Sequence, residues 1–196
     1  MAMSKRQINL IFALIVIGLA TAAALSIYMD SGTPVIRYPV QGGSSDNPLP
    51  ENHPPADTSQ QLALLMQMST EDPQDAAVQA EIGNIYFDRE EYDKAIPFYR
   101  KSMELRPGDP YVETDLATCF YHLNRDDEAL KILDEVLKNQ PDFQQALYNK
   151  GVILIHGKNN IKEGLAVWEE LLKSDLDPDR RSELEQSIQR LKSSIK

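Results

Sequence analysis

Residues 76–141 read AAVQAEIGNIYFDREEYDKAIPFYRKSMELRPGDPYVETDLATCFYHLNRDDEALKILDEVLKNQP, and this stretch contains one pattern twice. Small, aromatic, small, bulky and proline residues recur at positions that lie 34 residues apart. The matching pairs are Gly83 and Ala117, Tyr86 and Phe120, Ala95 and Ala129, Tyr99 and Leu133, and Pro107 and Pro141. A period of this length predicts an array of similar units, each of which buries its apolar face against its neighbours.

Each unit is expected to hold two antiparallel helices, helix A followed by helix B. The small residue at Gly83 or Ala117 would let helix A approach helix B closely. The aromatic residue at Tyr86 or Phe120 would fill the space beside the next unit. Proline cannot continue a helix, so Pro107 and its counterpart in the next unit are expected to end helix B.

This pattern resembles the tetratricopeptide repeat over roughly residues 60–177. The resemblance implies an all-α superhelical array of helix pairs with a carboxyl-terminal capping helix. The predicted segments are a half-repeat helix (59–75), three repeats (76–109, 110–143 and an irregular 144–177) and the capping helix (178–196). The tryptophan that is usual near the start of helix A is replaced by Gln79 and Glu113.

The ends of the helices are also predicted from single residues. Asp75, Asp109, Asp142 and Asp177 stand where helices should begin, and aspartate is a preferred N-cap residue. In the third repeat, Gly151 keeps the register, but Gly164 and Trp168 come one residue late. We therefore expect an inserted residue in the turn near 157–160. The capping helix shows one apolar stripe, formed by Leu184, Ile188, Leu191 and Ile195.

In the tetratricopeptide family, helix A lines a concave groove, so the resemblance implies a set of groove residues. They are Ala80, Asn84 and Phe87 from the first repeat, Tyr111, Thr114, Thr118 and Tyr121 from the second, and Gln145, Tyr148, Val152 and Ile155 from the third. Such a lining suits an apolar or amphipathic helical segment of a protein partner. The basic clamp of some family members is replaced here, with Asp115 and Gln145 at two of its positions. Binding is therefore expected to depend little on salt.

The amino-terminal part of the chain has the pattern of a membrane anchor. Lys5 and Arg6 precede an uncharged run from Leu10 to Tyr28, and Asp30 follows it. We predict a cytoplasmic terminus (1–7), a transmembrane anchor (8–29) and a flexible linker rich in proline, glycine and serine (30–58). The repeats would then lie outside the cytoplasmic membrane. The alternative is an exported soluble protein, released after cleavage of a signal peptide.

Composition and motifs exclude several classes of function. The net charge is −10, which argues against a nucleic-acid partner. The single cysteine, Cys119, allows no internal disulfide, and the sequence has no phosphate loop or hydrolase motif. We therefore expect neither an enzyme nor a bound cofactor. His122 and His156 share one repeat position and could hold a metal together, although the sequence identifies no third ligand; the alternative is two polar side chains near turns.

These features together predict a membrane-tethered adaptor that binds a protein segment during the assembly of a complex. The layout is similar to that of the accessory subunits of bacterial cytochrome c maturation, and the stretch that carries this similarity is GLAVWEELLKSDLDPDRRSELEQSIQRLKSSIK (164–196). In those proteins the array presents the apocytochrome to a haem lyase. The alternative is a structural scaffold that forms homo-oligomers and organises a patch of membrane.

Overall fold

The computed structural model describes residues 58–195, whose regular elements are all helices. The helices are α1 (Thr58–Glu71), α2 (Ala76–Asp88), α3 (Tyr92–Leu105), α4 (Pro110–His122), α5 (Asp126–Asn139), α6 (Gln144–Val152), α7 (Ile161–Leu171) and α8 (Pro178–Ser194). A π-helix, Ile153–Gly157, continues α6. The predicted anchor and nearly all of the predicted linker lie outside these residues.

The helices form a linear array, because each packs on the next one along the chain and α4 also contacts α6. The three pairs are α2 with α3, α4 with α5, and α6 with α7. Their first helices begin at Ala76, Pro110 and Gln144, the first residues of the three predicted repeats. The prediction of an all-α array of helix pairs is confirmed.

Glycine allows close packing of the two helices in the first and third pairs. A Cβ atom on Gly83 would lie 2.7 Å from Cε1 of Tyr99, whose side chain is fully buried. In the third pair, a Cβ atom on Gly151 would lie 2.1 Å from Nε1 of Trp168. Both distances are too short for a side chain, so the predicted role of Gly83 is confirmed.

Three of the four predicted caps are present. The carboxylates of Asp75, Asp109 and Asp177 accept backbone N–H groups from the first turns of α2, α4 and α8. The prediction for Asp142 is wrong, because the residue before α6 is Phe143, which makes no side-chain cap. Phe143 instead packs edge-on against Tyr111, with 5.1 Å between the ring centroids.

The extra residue of the third repeat lies in a helix and not in the turn, so that prediction is also wrong. In the second repeat, the turn is closed by the N–H of Arg125, which donates to the carbonyl of Phe120. In the third, the N–H of Asn160 donates to the carbonyl of Leu154, one residue further back. The π-helix absorbs this residue by widening the last turn of helix A.

The two ends of the array differ. Helix α8 buries Leu184 and Ile188 against the last repeat, but Ile195 follows the helix and is exposed, so it does not extend the predicted stripe. Arg181 donates hydrogen bonds to the carbonyls of Leu172 and Ser174 and so caps the end of α7. Helix α1 packs on α2 as the predicted half repeat, but it contains no fully buried residue.

Across residues 58–195, none of the helices is both long enough and apolar enough to span a bilayer.

Candidate functional site

Helices α2, α4 and α6 present one surface of the array, called the A face here, and this surface carries the predicted groove residues. Seven of them are exposed or half-buried: Asn84, Phe87, Tyr111, Thr118, Tyr121, Gln145 and Val152. The other four are buried: Ala80, Thr114, Tyr148 and Ile155. Only the first seven are therefore accessible to a ligand in this structure.

The four buried residues correct the predicted lining, and Tyr148 shows the reason. Its ring stacks on Trp168, with 5.7 Å between centroids and 12° between the ring planes. Nε1 of Trp168 also donates a hydrogen bond of 3.1 Å to the carbonyl of Tyr148. Ala80 and Thr114, which lie 34 residues apart at the equivalent positions of the other two repeats, are buried as well, so this repeat position belongs to the core.

A row of aromatic rings crosses from the first repeat to the second. Phe87 meets Tyr92 edge-on at 5.4 Å, and Tyr92 stacks on His122 at 4.3 Å with the ring planes only 3° apart. The ring of Tyr121 lies 5.6 Å from that of His122, with 53° between the ring planes. We call these residues, Phe87, Tyr92, His122 and Tyr121, the aromatic row. All four are half-buried, so the row offers ring edges and faces to a ligand.

Polar side chains link neighbouring helices across the A face. Gln145 donates to Oδ1 of Asp115 at 3.1 Å, and Asn149 donates to Oγ1 of Thr118 at 3.0 Å. Both bonds join α4 to α6. In the first repeat, the hydroxyl of Tyr99 donates to Oδ1 of Asn84 at 2.9 Å. The first two bonds link two A helices, the third links α2 to α3, and all three orient amide groups on the surface.

The repeat period places chemically different residues at equivalent positions of the three A helices. Each helix carries three residues on one side, spaced by three and then four positions. The three sets are Glu81, Asn84 and Asp88 on α2, Asp115, Thr118 and His122 on α4, and Asn149, Val152 and His156 on α6. Carboxylates are therefore concentrated on α2 and α4. Glu81, Asp88 and Asn149 are not among the predicted groove residues, although their 34-residue spacing from Asp115 and His122 could have identified them.

Asp115 is the most perturbed carboxyl group of this surface. Burial raises its pKa from 3.8 to about 7, the hydrogen bond from Gln145 opposes this change, and the negative charges of Asp109 and Asp88 add to it. Burial also raises the pKa of the Tyr99 hydroxyl, with further contributions from Asp115, Asp88 and Glu81. The fields of three carboxylates therefore meet near the Tyr99 hydroxyl.

The two histidines do not form a metal site with other residues of the described segment. Burial lowers the pKa of His122, a member of the aromatic row, and a partial loss of surrounding water also lowers the pKa of His156, an exposed residue of the π-helix. Between residues 58 and 195, no group of three or more histidine, cysteine, aspartate or glutamate side chains could hold a metal ion.

Cys119 is buried, and burial raises the pKa of its thiol, which disfavours the reactive thiolate.

Comparison with known sequences finds a family model that matches part of the array. Residues 86–150 match the family model of the tetratricopeptide repeat. The peroxisomal targeting signal receptor of Candida albicans is 33% identical over 82 residues, which are 42% of this chain and 14% of the receptor. A TPR repeat-containing protein of Methanocaldococcus jannaschii is 39% identical over 70 residues, or 36% of this chain and 12% of that protein. The chain thus spans only a small part of the length of these relatives.

Comparison with solved structures agrees on the fold. A crystal structure of MamA has a TM-score of 0.59 and 13% identity, and the match covers 70% of this chain and 88% of MamA. The first TPR of Spaghetti (RPAP3), bound to the HSP90 peptide SRMEEVD, has a TM-score of 0.56 and 22% identity, with 62% and 96% coverage. The 34-residue period, the three helix pairs and the matched segment agree that the described residues form an all-α array of tetratricopeptide-like helix pairs.

Proposed function

We propose that this protein is a membrane-tethered adaptor, whose A face binds a segment of a protein partner during the assembly of a complex. The observation that carries this proposal is the aromatic row, which is half-buried by its own array and would be covered further by a ligand. Aromatic residues of this kind contribute strongly to binding when a partner buries them. The role is one of binding and not of catalysis.

The comparisons support a peptide ligand. One similar structure is described as bound to an HSP90 peptide, and one similar sequence is a receptor for a targeting signal. In the proposal, the ligand is an apolar or amphipathic helical segment that lies across α2, α4 and α6. Val152 and Tyr111 would contribute apolar contacts at the α6 side of this surface.

Site-specific photo-crosslinking in cells tests the binding surface. A photo-reactive phenylalanine analogue replaces Tyr121 on the A face, and the control carries it at Glu135, an exposed residue of α5. The A-face probe should crosslink to a defined segment of a partner, and the control should not. Equal crosslinking from both positions would contradict the proposal.

The proposed location follows from the sequence before the array. Residues 8–29 would anchor the chain in the cytoplasmic membrane, with the amino terminus in the cytoplasm and the repeats outside it. A reporter that is active only outside the cytoplasm should be active when it is fused after Lys196. A soluble mature protein that starts near Leu25 would instead support the cleaved signal peptide.

We propose that the pathway is cytochrome c maturation, because the layout of this chain and its residues 164–196 are similar to the accessory subunits of that pathway. Deletion of the gene should then remove haem-stained c-type cytochromes from the membrane fraction, and expression of the full chain should restore them. Unchanged cytochrome c levels would contradict this assignment while leaving the adaptor role open to the crosslinking test.

A second candidate is a self-associating scaffold, which one observation favours. Helix α1 exposes Leu64, Met66 and Met68, with exposed fractions of 58%, 42% and 41%. Apolar side chains at one end of an array could pair two copies of the chain. Light scattering on the purified full chain distinguishes the two roles, because open oligomers support the scaffold and a discrete monomer supports the adaptor.

A further inference from the structure

We propose that residues 47–56 of this chain bind the aromatic row of the same molecule and cover it until a partner displaces them. These residues read NPLPENHPPA and lie outside the described residues. The inference rests on the proposed function, because the aromatic row is the surface to which a partner is assigned there. It adds to that function a regulation of the surface by the chain itself.

The chain enters the array beside one end of the aromatic row. Helix α1 begins at Thr58, and Nη2 of Arg89 donates a hydrogen bond of 3.4 Å to Oγ of Ser59. Arg89 follows the last residue of α2 and comes two positions after Phe87, the first ring of the row. Because consecutive Cα atoms are about 3.8 Å apart, the residues directly before Thr58 start close to Phe87.

The segment is long enough to follow the whole row. Neighbouring ring centroids are 5.4 Å apart for Phe87 and Tyr92, and 4.3 Å apart for Tyr92 and His122. The last step, from His122 to Tyr121, is 5.6 Å. A polyproline II helix advances about 3.1 Å per residue, so roughly five residues would follow the row from end to end. Residues 47–56 provide these and leave several residues for the connection to α1.

The composition of the segment suits aromatic rings. Leu49 lies between two prolines, and prolines make up four of the ten residues: Pro48, Pro50, Pro54 and Pro55. Prolines favour the polyproline II conformation, in which little conformational freedom remains to be lost on binding. Segments of this kind bind in grooves that are lined by aromatic side chains.

The charge of the segment is compatible with this contact. Glu51 is the single acidic or basic residue among residues 47–56, although the whole chain carries a net charge of −10. A strongly acidic segment would be repelled by Asp88 and Glu90, which are exposed and lie next to the ring-bearing ends of α2 and α3. A proline-rich segment with one charge avoids most of this repulsion.

Attachment to the array makes even a weak contact effective. A segment on a short connection is present at its own surface at an effective concentration of about 1 mM. It would therefore cover the row in most molecules without a high affinity of its own. A partner that binds the same rings competes with it, and the apparent affinity of the partner falls in proportion to the fraction of molecules whose row is open.

Photo-crosslinking within the purified full chain tests the contact without a partner. A photo-reactive phenylalanine analogue replaces Phe87, and the control carries it at Tyr111, an exposed residue at the opposite end of α4 from His122. Proteolysis and mass spectrometry identify the attached residues. The Phe87 probe should attach to residues 47–56 about threefold or more often than the Tyr111 probe does.

The variant Pro48→Ala/Pro50→Ala separates binding from simple proximity. It keeps the length and the charge of the segment but loses two proline rings, so the crosslink from Phe87 should weaken about threefold or more. The matched control, Pro34→Ala/Pro39→Ala, makes the same change earlier in the chain and should keep the crosslink. Both variants leave α1 to α8 unaltered, and a thermal melt verifies that they are folded.

The same variant tests the regulation. It should bind the partner segment identified by crosslinking from Tyr121 about threefold or more tightly than the unaltered chain does, because its row is open in more molecules. Isothermal titration on the purified full chain measures both affinities. Equal affinities would overturn the regulation.

Further outcomes separate this inference from the proposed function. Equal crosslinking from Phe87 and Tyr111, or a crosslink that Pro48→Ala/Pro50→Ala keeps, would overturn the inference and leave partner binding at the A face standing. In a mixture of isotope-labelled and unlabelled chains, links within one chain support the inference, and links between two chains overturn it. If the Tyr121 probe captures no partner in cells while the Phe87 probe still attaches to residues 47–56, the proposed function fails and the contact within the chain stands.

Discussion

Gln145 donates a hydrogen bond of 3.1 Å to Oδ1 of Asp115, and this bond joins helix A of the third repeat to helix A of the second. The bond lies at a buried carboxyl group whose pKa is raised to about 7. A structural contact between two repeats is thus coupled to a group that changes its charge near neutral pH.

The first prediction concerns the pH dependence of stability. The folded pKa of Asp115 lies above its reference value of 3.8, so the folded state binds more protons than the unfolded state between these values. The stabilising contribution of protonated Asp115 is complete below about pH 4 and is lost as the pH rises to about 7. Asp115→Asn removes this titration. The free energy of unfolding of the wild type, relative to the variant, should fall by about 1.4 kcal/mol per pH unit in this window.

Urea denaturation of the full chain at several pH values measures this difference. The control is Asp142→Asn, at an exposed position before α6. The free energy of unfolding of the wild type, taken relative to that of Asp142→Asn, should not show the same fall between pH 4 and pH 7. A difference between wild type and Asp115→Asn that stays constant from pH 4 to pH 7 would contradict the assignment.

The second prediction concerns the close contact of Gly83 with Tyr99. Gly83→Leu should destabilise the fold by about 1–3 kcal/mol or more, because even a Cβ atom would lie 2.7 Å from the Tyr99 ring. Ala77→Leu on the same helix is the control, since Ala77 is exposed and tolerates a larger side chain. Thermal melts compare the two variants. A melting temperature of Gly83→Leu that equals that of Ala77→Leu would refute the role of this glycine.

The third prediction separates two tyrosines that the sequence placed in one groove. Tyr111 is 37% exposed, and its alanine variant should change the free energy of unfolding by less than about 1 kcal/mol. It should also weaken peptide binding by about 1–3 kcal/mol. Tyr148 is buried against Trp168, so Tyr148→Ala should cost about 3 kcal/mol of stability.

Thermal melts, and titrations with the partner segment that is identified by crosslinking, measure both properties of the two variants. The unaltered chain serves as the reference for each. Equal loss of stability in the two variants would show that Tyr111 also belongs to the core and not to the binding surface.

The fourth prediction concerns the π-helix. Deleting His156, which is exposed, should let Ile153–Gly157 return to α-helical geometry and leave the stability unchanged or higher. Deleting the equivalent His122 should destabilise the fold strongly, because the second repeat has no extra residue to lose and its helix would shift in register. Urea denaturation compares the two deletions. If deletion of His156 is as damaging as deletion of His122, the π-helix does not hold the insertion.

Local residues were sufficient to predict the secondary structure and the pairing of the helices. Glycine at 83, proline at 107 and aspartate at 75 and 109 act through the backbone of their own helix or through one neighbouring helix. Their effects depend on sterics and on hydrogen bonds within a few residues. The 34-residue period repeats these effects, so the all-α array of helix pairs could be predicted from the sequence.

The candidate site depended on burial, which residue type alone does not give. Trp168 covers Tyr148, which is buried like Ala80 and Thr114 at the equivalent positions, whereas Tyr111 stands at another repeat position and is 37% exposed. The extra residue of the third repeat lies in the π-helix between Gly151 and Trp168. The helix geometry changes there, and the close packing of Gly151 on Trp168 is kept.

By itself, then, the sequence determined the repeat, the helix pairs and the caps at Asp75 and Asp109, because these follow from interactions that recur in every unit. Only the tertiary structure decided the burial of Asp115 and its hydrogen bond with Gln145. Those properties arise from packing between units, where the distances between side chains depend on how the helices are stacked and not on their spacing along the chain.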